Sequence, residues 1–505
     1  MSSRNQIEQF IRSTLANCRF VVVSNREPYV HTYTADGEIE CSRPTSGMVS
    51  ALDPVLRASS GIWIAHASGD ADQAVTDRNG CVPVPPDDPR YLLQRVWLSP
   101  EQAEGYYQGF SNQALWPLCH LAYTQPRFDR HHWRTYQQVN ELFAKEVHHA
   151  VGNSRALVFI QDYHFALLPR LIKQQCPQAI VAHFWHIPWP TLESLRICPW
   201  QREMVWGMLG SDLLGFHIPQ YCRNFMTAAR HLFPRMKVEQ RNTLIGREHS
   251  TKVRAFPISV DFEEIDRLAA SAEVSRKMGE LRRSLQLSKL VGLGIDRLDY
   301  IKGIPERLQA VARFLELYPQ YQGQFSFVQV AVPSRTGIPA YQQLSQIVSS
   351  LVREINARFG REGWEPVKLI STNLPMADVT ALYRLADFCL VSSLHDGMNL
   401  IAKEFAAARC DGQGVLLLSR FTGAAGLLRD ALFINPYDTD ETARQIQRAL
   451  ELDPTEIRRR MRRMRSQLRR RNIFQWMVDL LAASVECGAA PLGGAEESFP
   501  AAAAL

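Results

Sequence analysis

The sequence predicts an α/β protein with two domains, each built around a parallel sheet. Runs of β-branched and apolar residues alternate with longer helical patterns over nearly the whole chain, which is typical of βαβ units. At 505 residues the chain is too long for one hydrophobic core, so two domains are expected. Polar side chains follow seven predicted strands, and ligands bind at the carboxyl ends of parallel strands. These ends therefore predict one cleft between two domains.

The strands are predicted from short apolar runs. In chain order they are Phe20–Ser24, Leu157–Ile160, Ile180–Phe184, Leu213–Phe216, Leu290–Ile295, Phe325–Val332, Val367–Ser371, Phe388–Val391 and Gly414–Ser419. The polar ends are Asn25-Arg26, Gln161-Asp162, Trp185-His186, His217, Asp296-Arg297, Ser334-Arg335 and His395-Asp396.

The domain boundary is predicted after the strand at 254–261, where a charged helical stretch at 263–285 begins. We expect residues 1–260 to form the first domain and residues 261–470 the second. A helix at 471–487 is expected to pack back on the first domain. Residues 488–505, rich in Ala, Gly and Pro, are expected to be disordered.

Composition excludes several classes of protein. No run approaches the roughly 18 apolar residues of a membrane helix, and no signal-peptide segment opens the chain, so a cytoplasmic protein is expected. The ten cysteines form no Cys-x-x-Cys pair and are expected to be reduced.

The net charge of +6 is modest, but nine arginines crowd one predicted helix. They are Arg458, Arg459, Arg460, Arg462, Arg463, Arg465, Arg469, Arg470 and Arg471. A nucleic-acid surface would need such a cluster. Because no aromatic side chains are interleaved, we interpret it as a solvated helix face.

Two motifs carry the chemistry. In Asp296-Arg297-Leu298-Asp299-Tyr300-Ile301-Lys302-Gly303, two cations follow a buried strand and precede a helix, an arrangement that favours a diphosphate. In the stretch from Ser393 to Glu404, Gly397 allows close backbone approach to a ligand. The amides of 397–400 can hold phosphate oxygens there, and Glu404 can accept ribose hydroxyls. Either stretch alone could be a common turn.

Together these motifs resemble trehalose-6-phosphate synthases and their relatives, which are retaining glycosyltransferases with two facing Rossmann-like domains, the GT-B architecture. The resemblance covers roughly residues 19–480 and is carried in order by further motifs. They are Val21-Val22-Val23-Ser24-Asn25-Arg26, Tyr106-Tyr107-Gln108-Gly109-Phe110-Ser111-Asn112, Leu115-Trp116-Pro117, Asp162-Tyr163-His164, His186-Ile187-Pro188-Trp189-Pro190, Leu213-Leu214-Gly215-Phe216-His217 and Pro333-Ser334-Arg335.

The resemblance implies donor-side roles. Arg297 and Lys302 match the pair that grips the nucleotide diphosphate, Glu404 matches the ribose ligand, and Asp396 with His186 match the residues that hold donor-sugar hydroxyls. The expected donor site also includes Gly47, Gly397, Met398, Asn399 and Leu400. Because fixed cations can stabilise the leaving diphosphate, no metal or other cofactor is expected.

The resemblance also implies an acceptor site. Arg26, Tyr107, Trp116 and Arg335 match the grip on the phosphate of glucose 6-phosphate, and Asp162 lies near the acceptor hydroxyls. The expected catalytic set is Asp162, His186, Arg297, Lys302 and Asp396.

The chain departs from the family pattern in places. Thr45-Ser46-Gly47 stands where the family has a glycine pair, His66 aligns with a tryptophan, and His395 replaces a common arginine. The run Asn25 to Tyr29 resembles glucosylglycerol-phosphate synthases, which use glycerol 3-phosphate. The arginine at 335 favours glucose 6-phosphate.

One further motif has the form of a metal site but is not expected to bind a metal. Asp70-Ala71-Asp72 has the form of a metal-binding Asp-x-Asp, but its loop setting predicts a surface turn, and the pairs His131-His132 and His148-His149 lack partners at ligand spacing.

The leading prediction is transfer of glucose from UDP-glucose to glucose 6-phosphate, giving α,α-trehalose 6-phosphate and UDP. The alternatives are a glycerol 3-phosphate acceptor and a non-catalytic sugar-phosphate sensor. The expected partners are a nucleotide sugar and a sugar phosphate, with neither nucleic acid nor membrane. Because no phosphatase domain is recognised after residue 480, a separate trehalose-phosphate phosphatase is expected. The sequence does not decide whether the donor carries UDP or GDP. It also leaves the oligomeric state open, and a homo-oligomer is one possibility.

Overall fold

The computed structural model describes residues 9–11, 13–15, 18–44, 47–121, 124–246 and 249–488, which divide into two compact units. The first unit takes its described residues from Met1–Cys119, Gln125–Pro257 and Met477–Leu505, and the second from His120–Thr124 and Ile258–Trp476. The main change of unit falls at Pro257, near the expected boundary after residue 260. The predicted tail beyond Gly488 lies outside the described residues.

The first unit contains a ten-stranded sheet and a small hairpin. The sheet strands are β1 Arg19–Arg26, β4 Ile62–His66, β5 Cys81–Val84, β6 Tyr91–Val96, β7 Ala156–Gln161, β8 Ile180–Phe184, β9 Leu213–Phe216, β10 Lys237–Glu239, β11 Thr243–Ile245 and β12 Ser250–Ala255. The hairpin pairs β2 Val30–Tyr33 with β3 Ile39–Ser42 in antiparallel fashion.

Helices connect the strands of this unit. They are α1 Gly47–Ser59, α2 Asp72–Val75, α3 Pro100–Ala103, a π-helix Glu104–Leu115, α4 Trp116–His120, α5 Arg130–Val151, a 3₁₀ turn Tyr163–Phe165, α6 Leu168–Gln175, α7 Leu192–Leu195, α8 Gln201–Met208 and α9 Pro219–Leu232.

The sheet order in this unit is β10-β11-β12-β9-β8-β7-β1-β4-β6-β5. Its seven central strands are mutually parallel, and only β5, β10 and β11 run antiparallel to their neighbours. Counted along the chain, the central strands follow the doubly wound order 3-2-1-4-5-6-7. The order reverses between β1 and β7, and a ligand is expected beyond the carboxyl ends of the strands at such a point.

The second unit contains a six-stranded sheet that is parallel throughout. Its strands are β13 Leu290–Arg297, β14 Phe325–Val332, β15 Val367–Ile370, β16 Phe388–Val391, β17 Val415–Ser419 and β18 Leu432–Ile434. Its helices are α10 Phe262–Ala269, α11 Ala272–Ser284, α12 Ile304–Leu317, α13 Pro339–Phe359, α14 Met376–Leu385, α15 Leu400–Ala408, α16 Thr439–Glu451 and α17 Pro454–Arg470, with 3₁₀ turns at Tyr300–Lys302, Pro319–Tyr321 and Gly423–Gly426. Helix α18, Ile473–Gly488, ends the described chain.

The second sheet has the order β15-β14-β13-β16-β17-β18, again doubly wound, with its reversal between β13 and β16. Its strands are almost continuously apolar because helices cover both faces. Phe327, Phe325 and Phe388 lie wholly buried in the core, and the last two rings stack 6.0 Å apart. The prediction of an α/β fold with parallel sheets is confirmed.

Several details differ from the prediction. Arg297 is the last residue of β13 rather than part of a loop. The expected helix at 263–285 is two helices, because the side chain of Ser271 accepts a hydrogen bond from the amide of Val274 and begins a new helix there. The arginine-rich segment is helical, as expected. Among the described residues, no helix combines the length and apolar character needed to cross a membrane.

Candidate active site

Lys302 is held at the carboxyl end of β13 in the second unit. It ends a 3₁₀ turn, and Gly303 follows with φ +61°, where an added Cβ would meet the carbonyl oxygen of Ser392 at 2.3 Å. Only glycine fits this turn. The ammonium of Lys302 donates to Oδ2 of Asp396 at 2.6 Å and lies 4.0 Å from Oδ1 of Asp296. Burial opposes the charge, but the two carboxylates outweigh it and raise the pKa of Lys302.

Asp396 follows β16 and is the centre of this polar cluster. Besides Lys302, it accepts hydrogen bonds from Oγ of Ser393 at 3.2 Å and from Nδ2 of Asn399 at 3.1 Å. Burial would raise the pKa of Asp396, but the ammonium of Lys302 outweighs burial and holds that pKa well below its usual range. The carboxyl group is therefore ionised at neutral pH and can accept hydrogen bonds from hydroxyl groups.

The loop after Asp396 leads into helix α15. Asn399 has φ +75°, and its side chain caps the helix by accepting from the amide of Ala402 at 3.0 Å. The amide of Ala424 donates to the carbonyl of Met398 at 2.9 Å, and a Cβ at Gly423 would meet the carbonyl oxygen of Gly397 at 2.1 Å. This close packing fixes Gly397 and Met398 just before the helix begins at Leu400, and anions bind well to the amides at such a helix start.

Glu404 lies one turn further along α15. Its Oε2 accepts from the hydroxyl of Tyr383 at 2.9 Å, and burial raises the pKa of Glu404. The adjacent Lys403 is fully buried and contacts the carbonyl of Ile258, and burial lowers the pKa of Lys403 to about 7. The sequence analysis did not single out Tyr383 or Lys403, because their contacts come from distant segments.

Arg297 and Arg335 both lie in the second unit, but they differ in exposure and in ion pairing. Arg297 is exposed and makes no ion pair with another described residue. The side chain of Arg335 is only 5% exposed. This residue has φ +51°, pairs with Asp299 at 3.3 Å and donates to the hydroxyl of Tyr341 at 2.5 Å. The second unit therefore contains all the predicted diphosphate cations together with one predicted acceptor arginine.

In the first unit, Asp162 and His186 adjoin at the ends of β7 and β8. Asp162 has φ +74°, and its Oδ1 accepts from the amides of Tyr163 at 2.9 Å and His186 at 3.0 Å. The ring of His186 donates from Nε2 to Oε1 of Gln161 at 2.9 Å. Burial, reinforced by His217, lowers the pKa of His186 well below its usual value, so the ring is neutral at neutral pH.

The other predicted acceptor residues of this unit surround the same sheet edge. Arg26 ends β1, is exposed, and makes no ion pair with another described residue. Tyr107 lies on the π-helix and stacks on His164 with ring centroids 5.7 Å apart. Trp116 lies 5.7 Å from the ring of Tyr163. The sequence analysis gave His164 no role of its own beyond its place in the Asp162-Tyr163-His164 motif.

Gly47 begins helix α1, while Thr45 and Ser46 before it lie outside the described residues. His66 pairs in register with Arg26 across β1 and β4, and burial lowers its pKa. Nδ1 of His395 hydrogen-bonds the carbonyl of His120 at 2.8 Å. His120 is the last residue of α4, but it belongs to the second unit, as His395 does.

The predicted surface turn at Asp70-Ala71-Asp72 is wrong for Asp72. Asp70 is exposed, but Asp72 is fully buried and pairs with Arg95 at 2.7 Å. It also accepts from the amides of Gly69 at 2.7 Å and His31 at 2.9 Å. The carboxylate has a structural partner because β6 brings Arg95 beneath the loop. Among the described residues, no group of three His, Cys, Asp or Glu side chains could hold a metal ion.

Residues 18–484 match the profile of Glycosyltransferase family 20. A trehalose-6-phosphate synthase of Mycolicibacterium smegmatis is 36% identical over 494 residues, with 95% of each chain covered. A bifunctional trehalose-6-phosphate synthase/phosphatase of Thermoproteus tenax is 37% identical over 480 residues, and this chain spans 63% of its length.

Solved structures give the same result. An α,α-trehalose-phosphate synthase (UDP-forming) from Burkholderia vietnamiensis has a TM-score of 0.84 at 29% identity, covering 94% of this chain and 98% of that one. An E. coli relative bound with UDP-2-fluoro glucose has a TM-score of 0.82 at 29% identity, covering 92% of this chain and 99% of that one. A Burkholderia xenovorans synthase in complex with glucose-6-phosphate has a TM-score of 0.80 at 29% identity, with the same coverage. The chain therefore has the GT-B fold and belongs to glycosyltransferase family 20.

Proposed function

We propose that this glycosyltransferase transfers glucose from UDP-glucose to glucose 6-phosphate, forming α,α-trehalose 6-phosphate and UDP with retention at the donor carbon. The observation that carries the proposal is the cluster of Lys302, Asp396 and Asn399 beside Arg297, at the reversal point of the second sheet. Relatives named trehalose-6-phosphate synthases support it, as do the E. coli structure bound with UDP-2-fluoro glucose and the B. xenovorans complex with glucose-6-phosphate.

On the donor side, each group has a distinct task. Arg297 and Lys302 bind the diphosphate, and Lys302 stays protonated because its pKa is raised. The amides at the start of α15 bind further phosphate oxygens. Asp396 accepts a hydroxyl of the donor sugar, and Glu404, oriented by Tyr383, accepts from the ribose.

On the acceptor side, Arg26 is the first contact for the phosphate because its exposed guanidinium has no described ion pair to give up. Arg335 must exchange its bond to Asp299 for the phosphate, so its contribution is smaller. Tyr107 and Trp116 shape the first unit's edge, and Asp162 accepts from an acceptor hydroxyl.

The chemical step forms a bond between the acceptor oxygen and the anomeric carbon while the bond to the diphosphate oxygen breaks. The acceptor hydroxyl proton passes to the departing phosphate oxygen on the same face, so no protein nucleophile is needed. Charge accumulates on the leaving diphosphate, where Arg297, Lys302 and the helix amides stabilise it. The cations supply the charge that a divalent metal would supply, so we propose a metal-independent reaction. Neutral His186 acts as a hydrogen-bonding group near the donor sugar.

A second acceptor, glycerol 3-phosphate, is favoured by one observation. His66 lies in register with Arg26 on the neighbouring strand, at the place where the synthases carry a tryptophan. A smaller polar side chain beside the phosphate-binding arginine would suit a shorter acceptor.

The test is nucleotide release from UDP-glucose with glucose 6-phosphate or glycerol 3-phosphate in separate reactions, with the product identified by mass. A disaccharide phosphate formed only with glucose 6-phosphate supports the proposal, and turnover only with glycerol 3-phosphate replaces the acceptor. If neither acceptor supports nucleotide release, the next donor to test is GDP-glucose, followed by binding measurements. Binding without turnover would indicate a sensor. Dephosphorylation by a separate protein stays a prediction.

A further inference from the structure

Helix α17 presents arginines to a surface cavity of about 500 Å³ in the second unit. The cavity is bounded on its other side by Cys410, Asp411 and Gly412, just beyond the end of α15. Its volume falls within the range of sites that hold small ligands, which is about 300–1,000 Å³. Five of the lining residues share a side chain type, Arg458, Arg462, Arg465, Arg469 and Arg470.

Positive charge greatly exceeds negative charge around this cavity. Asp411 is its one lining carboxylate, and that group already contacts Arg409 at 3.2 Å and Arg384 at 3.6 Å, which are not part of the lining. Arg458, Arg462 and Arg470 have no carboxylate within 4.0 Å among the described residues. Like charges gathered on one helix face repel one another, and a bound anion relieves that repulsion.

One arginine at the base of the cavity is held in place by surrounding residues. Arg465 is mostly buried, pairs with Asp266 at 2.6 Å, and donates to the carbonyls of Ala406 and Ala407 at the end of α15. The guanidinium groups of Arg465 and Arg469 lie over the ring of Phe262, 5.0 and 4.9 Å from its centroid. Arg469 is mostly exposed and lies 3.6 Å from Asp266, whereas the contacts of Arg465 fix its guanidinium group before any ligand binds. A group that is already fixed lowers the entropy cost of binding.

The lining chemistry selects the ligand class. Guanidinium forks match phosphate oxygens in geometry and charge. None of the lining residues is aromatic, so the cavity offers no platform for a nucleobase or for single-stranded nucleic acid. We propose that this cavity binds a small anion carrying several phosphate groups, at a site separate from the donor and acceptor residues.

The experiment titrates the full chain with sodium tripolyphosphate in a calorimeter at low ionic strength, with UDP saturating the proposed donor site. We expect binding that weakens as salt is added. The double variant Arg458→Gln/Arg462→Gln should weaken it by about tenfold or more, since each lost charge-assisted bond contributes strongly.

A matched control lies on the same helix. Arg459→Gln/Arg463→Gln removes the same charge from the other face, where these arginines pair with Glu456 at 2.6 Å and Asp430 at 3.4 Å. Its affinity for tripolyphosphate should stay within about twofold of the wild type. Circular dichroism checks that both double variants fold. If Arg458→Gln/Arg462→Gln does not fold, the single variant Arg470→Gln replaces it.

Four results would overturn the proposal. The first is the absence of binding to the wild type. The second is equal weakening in both doubles, which would mean attraction to the total charge of the helix. The third is binding that appears only in a parallel titration without UDP. The fourth is arginine-dependent binding of an RNA oligomer or of anionic vesicles that tripolyphosphate does not displace. The titration does not depend on the proposed glycosyl transfer, so a failure of either proposal is recognised separately.

Discussion

Arg297 and Lys302 are assigned the same task, yet the structure predicts different consequences when each is removed. Lys302 forms a 2.6 Å ion pair with Asp396, and both side chains are only 12% exposed. Arg297 is exposed and has no described ion pair. We therefore compare Lys302→Met with Arg297→Gln. Both substitutions remove one cation from the proposed diphosphate site, but only the first leaves a buried carboxylate without its charged partner.

The magnitudes follow from these environments. Loss of one preorganised charge-stabilising group costs about 3 kcal/mol in the transition state, or roughly 150-fold in kcat/KM, and both variants should show it. Breaking a buried ion pair costs about 3–5 kcal/mol of stability, so Lys302→Met should also lower the free energy of unfolding by that amount. Arg297→Gln should change stability by no more than about 0.5 kcal/mol.

The assays are initial rates of UDP release and urea unfolding followed by circular dichroism. Arg283→Gln on α11 serves as control, because Arg283 is also exposed and without a described ion pair, and it should match the wild type in both assays. Turnover by Arg297→Gln within about threefold of the wild type would refute the diphosphate role. Unchanged stability in Lys302→Met would refute the reasoning about its pairing with Asp396.

Four further predictions test other parts of the protein. Gly303→Ala should lower the free energy of unfolding by more than about 2 kcal/mol, since φ is +61° and the new Cβ would meet the carbonyl oxygen of Ser392 at 2.3 Å. Gly323→Ala, with φ +81° and open space around it, should cost only about 1 kcal/mol in the same urea titration. Burial, together with Asp72, raises the pKa of Glu27 from 4.5 to about 7, so the folded state binds this proton more tightly than the unfolded state. Stability from this group is therefore complete below pH 4.5 and lost as pH rises to about 7, and Glu27→Gln should flatten the urea-unfolding profile over that window. Arg26→Gln should raise KM for glucose 6-phosphate about tenfold or more while leaving KM for UDP-glucose unchanged, and a chelator such as EDTA should leave turnover intact.

Much of the architecture is readable from local pattern. The runs at Ile180–Phe184, Leu213–Phe216, Phe325–Val332 and Phe388–Val391 form strands with the predicted bounds. Such runs are reliable because a parallel strand covered on both faces must be apolar throughout. Eight strands were not predicted: β2, β3, β4, β5, β6, β10, β11 and β18. The residues of β3 and β10 are largely exposed, so their pattern does not distinguish a strand from a loop.

In the candidate site, too, some features follow from local sequence and others from distant contacts. By itself, the sequence determined the alternation of strands and helices, the family resemblance, and which residues follow each strand end, because all of these depend on neighbouring positions. Only the tertiary structure decided that Lys302 pairs with Asp396, that Arg335 is neutralised by Asp299, and that Arg95 buries Asp72. The physical reason is that the charge state of a side chain depends on its burial and on groups distant in the sequence. The position of Lys302 is local, but the partner that keeps it protonated comes from the next strand of the sheet.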